Sequence, residues 1–339
     1  MERETRVKWL LKRIAAGLAA VLVVAVGAAV LLGAQFSGEQ APWAASTGHD
    51  GVWLSGSWVN GEHAPEEIET VLGRLREGGF TDVYVHVGEI APDGSLDPAG
   101  YAAAEPFLSR LRAELPDARV LGWMSHTAES SSLVEDQFNE EQRATIAAAA
   151  AAVVDAGFDG IHYAIAPITT NDPTLPDVLE RTRAAIGPER TLSVRAHPLE
   201  LLTGMRMPVL LFAGKEVFWS TGYLTRVAER ADTVVIQGHG TGMPVKQLYG
   251  GFMVRQTELA LESVPEDVTV RIAAPAFDDE SLGPTSRAET VATATSAVRI
   301  GLTKSGQRRE RMGMGLYVLD GTDDQEWAAF RDNWLVPKR

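Results

Sequence analysis

The chain reads as an α/β protein, a (β/α)8 TIM barrel preceded by one N-terminal transmembrane helix, on three observations. Eight short β-rich runs alternate with helical segments from Gly51 onward. Their spacing of roughly thirty to fifty residues suits a closed parallel barrel better than an open doubly wound sheet. Nineteen uncharged residues, Ile14 to Leu32, follow a basic N-terminal stretch. Glycines stand where helices should stop, at Gly78-Gly79, Gly157 and Gly301.

The N-terminal residues 1–13 hold Arg3, Arg6, Lys8, Lys12 and Arg13 and read as a cytoplasmic basic tail. A helix over the apolar run covers roughly 28 Å at about 1.5 Å per residue, close to the hydrocarbon thickness of a bilayer. Residues 14–34 therefore read as a transmembrane signal anchor. The basic flank predicts a single-pass protein of the cell membrane, with the N-terminus cytoplasmic and the barrel extracytoplasmic. A cleaved signal peptide is the competing reading, but the apolar run exceeds a usual h-region and no clear Ala-x-Ala site follows it. The chain has no cysteine, so disulfides and lipid attachment through a lipobox are excluded. Its net charge is -14, and -17 without the first thirteen residues, which carry five basic and two acidic side chains. Such acidity argues against nucleic acid as a partner, and for membrane contact through the N-terminal helix alone.

Residues 35–50, with Ser37, Gly38, Pro42, Ser46 and Gly48, lack apolar periodicity and read as a linker, leaving 51–339 for the barrel. The strands are expected at 52–58, 82–87, 120–125, 160–165, 192–196, 233–237, 268–273 and 313–319. Helical patterns lie at 66–77, 140–156, 178–185, 223–230, 248–263 and 287–300. The sites of such barrels lie at the C-terminal ends of the strands, so the last residues of each strand and the loop beyond it supply the candidates. The long loops 127–139 and 198–220 are placed to act as lids.

The most informative run is Gly157-Phe158-Asp159-Gly160-Ile161-His162-Tyr163-Ala164-Ile165-Ala166-Pro167, a helix stop and turn followed by a strand. Its alternation puts His162, Ala164 and Ala166 on one face. The run resembles the catalytic strand of the family-18-type glycoside hydrolases, the chitinase-like TIM barrels, which reads Asp-Gly-x-Asp-x-Asp-x-Glu with the general acid last. The resemblance extends over most of 51–339 and implies a polysaccharide or oligosaccharide ligand, of the cell envelope or outside the cell. In this chain the motif is degenerate: Asp159 is kept, and His162, Ala164 and Ala166 replace the later acids. Asp232 to Gly240 stands where that family ends its sixth strand in Met-x-Tyr-Asp, so Gln237, His239 and Gly240 are departures. The family's eighth-strand tryptophan is also missing from Leu316 to Asp320.

Retaining hydrolysis in that family needs an acid for the leaving oxygen and an aspartate that guides the substrate's acetamido group, roles that Ala164 and Ala166 cannot fill. The first expectation is a barrel that binds glycan without cleaving it, through Trp58, Trp123, His162, Tyr163, Gln237 and His239, since sugar faces pack on aromatic rings. A second is an active hydrolase with relocated acids, Glu89 with Asp278 or Asp320. A third is a metal-dependent hydrolase built on the strand-end histidines His86, His126, His162, His197 and His239, although their spacing fits no ligand motif. A fourth is a structural module that meets other envelope proteins. No cofactor is expected: Gly238 to Gly242 lacks the lysine and spacing of a phosphate loop. Asp159 reads as a turn residue that bonds nearby backbone amides.

Overall fold

The computed structural model describes residues 2–63, 65–127, 138–205, 218–277 and 287–335. Eight parallel strands close into a barrel in sequence order. They are β1 (Gly51–Leu54), β2 (Asp82–Glu89), β3 (Arg119–Thr127), β4 (Gly160–Ala166), β5 (Thr191–Ala196), β6 (Thr233–Ile236), β7 (Thr269–Pro275) and β8 (Met312–Tyr317), and β1 pairs with both β2 and β8. The expected strands are all present. The first is shorter than its apolar run, because Gly56–Trp58 turns into a 3-10 helix.

A long helix, α1 (Glu2–Gln35), precedes the barrel, and its segment Ala15–Gln35 is long and apolar enough to cross a membrane. Around the barrel lie α2 (Pro65–Gly78), α3 (Ala104–Glu114), α4 (Glu140–Asp155), α5 (Thr174–Ile186), α6 (Thr221–Ala228), α7 (Lys246–Ser263), α8 (Val291–Ser305) and α9 (Asp324–Phe330). The sequence patterns had not marked α3 and α9, whose short apolar stripes are Phe107, Leu108 and Leu111 in one and Trp327 and Phe330 in the other. Helix α4 starts at a reciprocal capping box: the Gln142 amide donates to the Asn139 side chain, and the Asn139 amide to the Gln142 side chain.

Residues 35–50 do not form a free tether. Ala44 is buried and its carbonyl accepts from Arg299 Nε at 2.7 Å. Lys304 Nζ donates to the Gln35 carbonyl at 2.6 Å, and the end of α1 lies against Gly250 and Gly251 of α7. Asp50, fully enclosed, accepts from the Met314 amide and from Trp334 Nε1, both at 2.7 Å. The segment thus ties α1 and the C-terminal helices to the start of β1. Its polar composition hid this, because its contacts are mostly hydrogen bonds rather than an apolar stripe.

Alternation divides the strand side chains in two. Outward residues such as Val83, Ile161, Val194, Ile236 and Ile272 pack under the helices in the main core. Inward residues form a second cluster with Trp53, Tyr84, Leu121, Val235 and Ala273. The lower interior holds Arg271, fully buried, paired with Asp82 and bonded to the Tyr84 hydroxyl and the His49 carbonyl. Glycines make the space: a Cβ on Gly51 would stand 3.0 Å from the Tyr84 ring, and one on Gly315 would stand 2.4 Å from Trp53.

Breaking a buried ion pair on one side strands the other charge, at about 3–5 kcal/mol. Asp82→Asn should therefore lower the unfolding free energy by about that much in urea titrations. Asp82→Asn combined with Arg271→Met should recover most of the loss, because no buried charge is then left.

Candidate functional site at the barrel mouth

Above the Arg271 layer, the inner faces of β3 to β8 meet in a small cavity. Trp123 comes from β3, His162 and Ala164 from β4, Arg195 from β5, and Tyr317 from β8, while Gln237 and His239 follow β6. About 20 Å³ is open to the centres of water molecules, room for one small polar group. Among the described residues, no carboxylate lines it.

A hydrogen-bonded column leads up to this cavity from the barrel floor. Arg271 donates to the Tyr84 hydroxyl, Ser193 Oγ donates to the same hydroxyl at 3.4 Å, and Ser193 Oγ lies 2.8 Å from His162 Nδ1. Burial, with help from Arg195 and Arg271, holds the His162 pKa well below its usual value, so the ring is neutral. Its other nitrogen, Nε2, is buried and has no partner. His239 stacks on Tyr317 with centroids 4.3 Å apart, and burial and the Arg195 charge lower its pKa to about 3. The Arg195 pKa is lowered too, because burial disfavours its charge and only Tyr317 offsets that.

The expected residues separate into those at the cavity and those away from it. Trp123, His162, Gln237 and His239 line it, with Ala164, while Ala166 ends the same face of β4. Tyr163 does not belong there. It has the opposite parity, is fully buried under the helices and shares a 2.7 Å hydrogen bond with Thr182 of α5. Trp58 lies at the rim, stacked on His63 with centroids 3.8 Å apart, and its Nε1 donates to Asp320 Oδ1 at 2.5 Å. Asp320 also accepts from the Ser55 amide at 2.8 Å, so this carboxylate clamps the turn after β1. Asp159 accepts from the Val120 amide at 2.8 Å and from Arg112 at 3.0 Å, joining β3 to the start of β4. Asp278 lies outside the described residues.

Glu89 is exposed at the end of β2. A register shift between His86 and Gly88 sets it opposite Ser125 and so turns it to the inner side of the barrel. The five histidines do not converge. His86 Nε2 pairs with Ser125 Oγ at 2.9 Å, His126 Nδ1 with the Ile90 carbonyl at 2.7 Å under the helices, and His197 stands edge-on to Trp219. Among the described residues, no three His, Asp or Glu side chains gather in a way that could hold a metal ion. The glycine-rich loop after β6 is occupied by a side chain of the chain itself, since Glu289 accepts from the Gly240 and Thr241 amides at 2.7 and 2.8 Å.

Known structures of the same form are numerous. The spore cortex-lytic enzyme SleL of Bacillus megaterium QM B1551 superposes with a TM-score of 0.56 at 14% identity, over 86% of this chain and 75% of SleL. A chitinase from Rhizomucor miehei gives 0.57 at 11% identity, over 84% of this chain and 99% of its own. A family GH18 chitinase from Chromobacterium violaceum gives 0.51 at 15%, over 84% of both chains. The fold is that of the chitinase-like barrels. No family model matches the sequence, and no curated protein does. Similarity is therefore carried by the chitinase-like backbone, and the residues at its mouth have to be read from their own chemistry.

Arg195 and Tyr317 were missed as site residues in the sequence. Arg195 had a signal: a charge at the inward phase of an otherwise apolar strand, two residues after Ser193. The two neutral histidines have a measurable consequence. Between their ordinary pKa of 6.5 and the folded value of about 3 for His239, the unfolded chain takes up a proton that the fold refuses. Stability is thus full above pH 6.5 and falls as the pH drops, by up to about 1.4 kcal/mol per pH unit for each such ring. Unfolding titrations at pH 7 and 4.5 should show a shallower pH dependence for His239→Gln than for the unaltered chain.

Proposed function

We propose that this chain is a membrane-tethered, extracytoplasmic chitinase-like barrel that binds an oligosaccharide of the cell envelope or extracellular matrix at its mouth and does not hydrolyse it. The observation that carries the reading is a cavity with aromatic walls and several polar groups, in which Ala164 stands on the inner face of β4 and no described residue supplies a carboxylate. Glycoside hydrolysis needs a group that protonates the leaving oxygen and a second that assists attack, held about 5 to 9 Å apart. The neutral rings of His162 and His239 are poor proton donors at neutral pH. Trp123 and Tyr317, edge to face with centroids 5.7 Å apart, supply the apolar planes on which a sugar face can pack. Residues 1–13 lie in the cytoplasm in this reading, residues 14–34 span the membrane, and the barrel stands close to its outer surface because residues 35–50 are tied down.

The full chain in detergent, incubated with chitin oligomers, peptidoglycan fragments and a panel of envelope polysaccharides, should leave them intact by mass spectrometry. Calorimetry should find at least one that binds. Replacing Trp123 by Ala should weaken that binding about tenfold, as expected for the loss of one stacking surface of about 1–1.5 kcal/mol.

One observation favours a second reading, an active hydrolase: the bulge in β2 turns Glu89 inward at the mouth. New reducing ends that disappear in Glu89→Gln, with binding retained, would establish it and set aside the first.

A further inference from the structure

The arginines in and around the barrel provide a control for Arg195. Arg271 is paired with Asp82, Arg183 with Asp232 at 2.6 Å, and Arg230 with Glu180 at 2.5 Å. Arg299 donates to the Ala44 carbonyl, and Arg309 to the carbonyls of Val264, Pro265 and Val268. Arg195 differs. No hydrogen bond or ion pair joins its guanidinium to any described residue, and its Nε is sealed from solvent without an acceptor. Two more polar atoms in the same cavity wall have no partner among the described residues: Trp123 Nε1, a donor, and His162 Nε2, an acceptor on a side chain that is fully buried.

Buried donors without acceptors are costly, by about 1–3 kcal/mol each and more for a charged group. Trp123 Nε1 and Arg195 Nε can only donate. Their natural partner is an oxygen that only accepts, and a cation enclosed in a low-dielectric wall favours one that carries negative charge. Among the described residues, none supplies that oxygen. Pairing of β4 with β5 runs through His162 with Ser193 and Tyr163 with Val194, so the next inward position beside Arg195 belongs to Ala164. An aspartate there would neutralise the arginine, and alanine leaves it open. The space open to water centres, about 20 Å³, takes one water-sized group, such as a single oxygen of a carboxylate or sulfate, and not a sugar ring.

We infer that the barrel mouth is an oxyanion seat, built from Arg195 and Trp123, which selects a glycan carrying an acidic substituent; His162, whose Nδ1 donates to Ser193, keeps Nε2 as an acceptor for a sugar hydroxyl. The inference rests on the oligosaccharide reading above. One oxygen of the carboxylate or sulfate enters the cavity against Arg195, while the sugar ring that bears the acid stays above, beside Tyr317 and Trp123.

The test uses the full chain in detergent at low salt and three matched pairs: N-acetylmuramic acid against N-acetylglucosamine, glucuronate against glucose, and N-acetylglucosamine 6-sulfate against N-acetylglucosamine. Tryptophan fluorescence and thermal unfolding report binding. At least one acidic sugar should bind tenfold or more tightly than its neutral parent, and the responding pair tells carboxylate from sulfate. Arg195→Gln should abolish the preference, and Arg195→Lys should restore part of it. Ala164→Asp should also abolish it by supplying an internal partner. Both Arg195→Gln and Ala164→Asp should raise the melting temperature in the absence of ligand, since the first removes and the second pairs a half-buried cation that no described residue compensates. That result separates loss of binding from loss of fold.

Equal affinity for acid and neutral parent in every pair, or a preference unchanged by Arg195→Gln, would overturn the seat while leaving glycan binding intact. Inorganic sulfate binding as tightly as the best acidic sugar, with loss in Arg195→Gln, would keep the seat and count against the oligosaccharide reading.

Discussion

The buried pair of Arg271 and Asp82 is the constraint around which the barrel interior is arranged. A closed eight-stranded barrel must fill its centre with side chains, and most such barrels use branched apolar residues. Here the lower layer is an ion pair, and taking both charges out of water costs several kcal/mol per ion unless every remaining polar atom is also satisfied. The surrounding residues meet that demand. Tyr84 and the His49 carbonyl accept from the guanidinium, Arg119 reaches the other oxygen of Asp82 at 2.6 Å, and Gly51 keeps the wall thin where Arg271 and Tyr84 pass. An alanine at Gly51 would press on the same two side chains, at 3.0 Å from Tyr84 and 3.3 Å from Arg271.

The consequence travels upward. Once Tyr84 is engaged by Arg271, the Ser193 hydroxyl finds it from above and His162 sits on Ser193, so the imidazole orientation at the mouth is set from the floor of the barrel. Ring contacts brace the same column: Tyr84 lies 4.3 Å from His162 by centroid and 4.5 Å from Trp53. A histidine held in this way is a fixed, neutral polar group. It can orient a ligand but cannot easily change charge, which fits recognition better than proton transfer at neutral pH.

What was legible in the sequence follows from which forces were at work. Eight apolar runs and their spacing revealed the barrel because outward strand residues pack under helices by burial alone, and burial leaves a periodic trace. The shared face of His162, Ala164 and Ala166 was legible for the same reason. Parity also shows why Tyr163 could not join them: its neighbour His162 already faces inward, and a strand cannot turn both sides to one cavity. The inward turn of Glu89 was hidden by a bulge, which breaks alternation without a residue that announces it. Asp320 looked available because its partners, the Ser55 amide and the Trp58 indole, lie more than 260 residues earlier in the chain. The strap at 35–50 and the loop clamp of Glu289 were silent for a related reason, since a hydrogen bond between distant segments leaves no local pattern.

The same geometry inverts the electrostatics of the site. In the glycosidase pattern that the fourth strand resembles, inward carboxylates make the mouth anionic and would repel an acidic sugar. With alanine at 164 and 166 and two histidines held neutral, Arg195 is the one strong charge on the cavity wall among the described residues. The net charge of -14 works against an anionic ligand at a distance, but that repulsion is screened beyond a Debye length of about 8 Å at physiological salt. Inside the cavity the balance reverses, because a half-buried cation that no described residue pairs acts at contact range on whatever enters. In the proposed reading, discrimination between acidic and neutral sugars is a contact property of Arg195 and its neighbours on β3 and β4. It needs no long-range steering, which an acidic barrel could not provide.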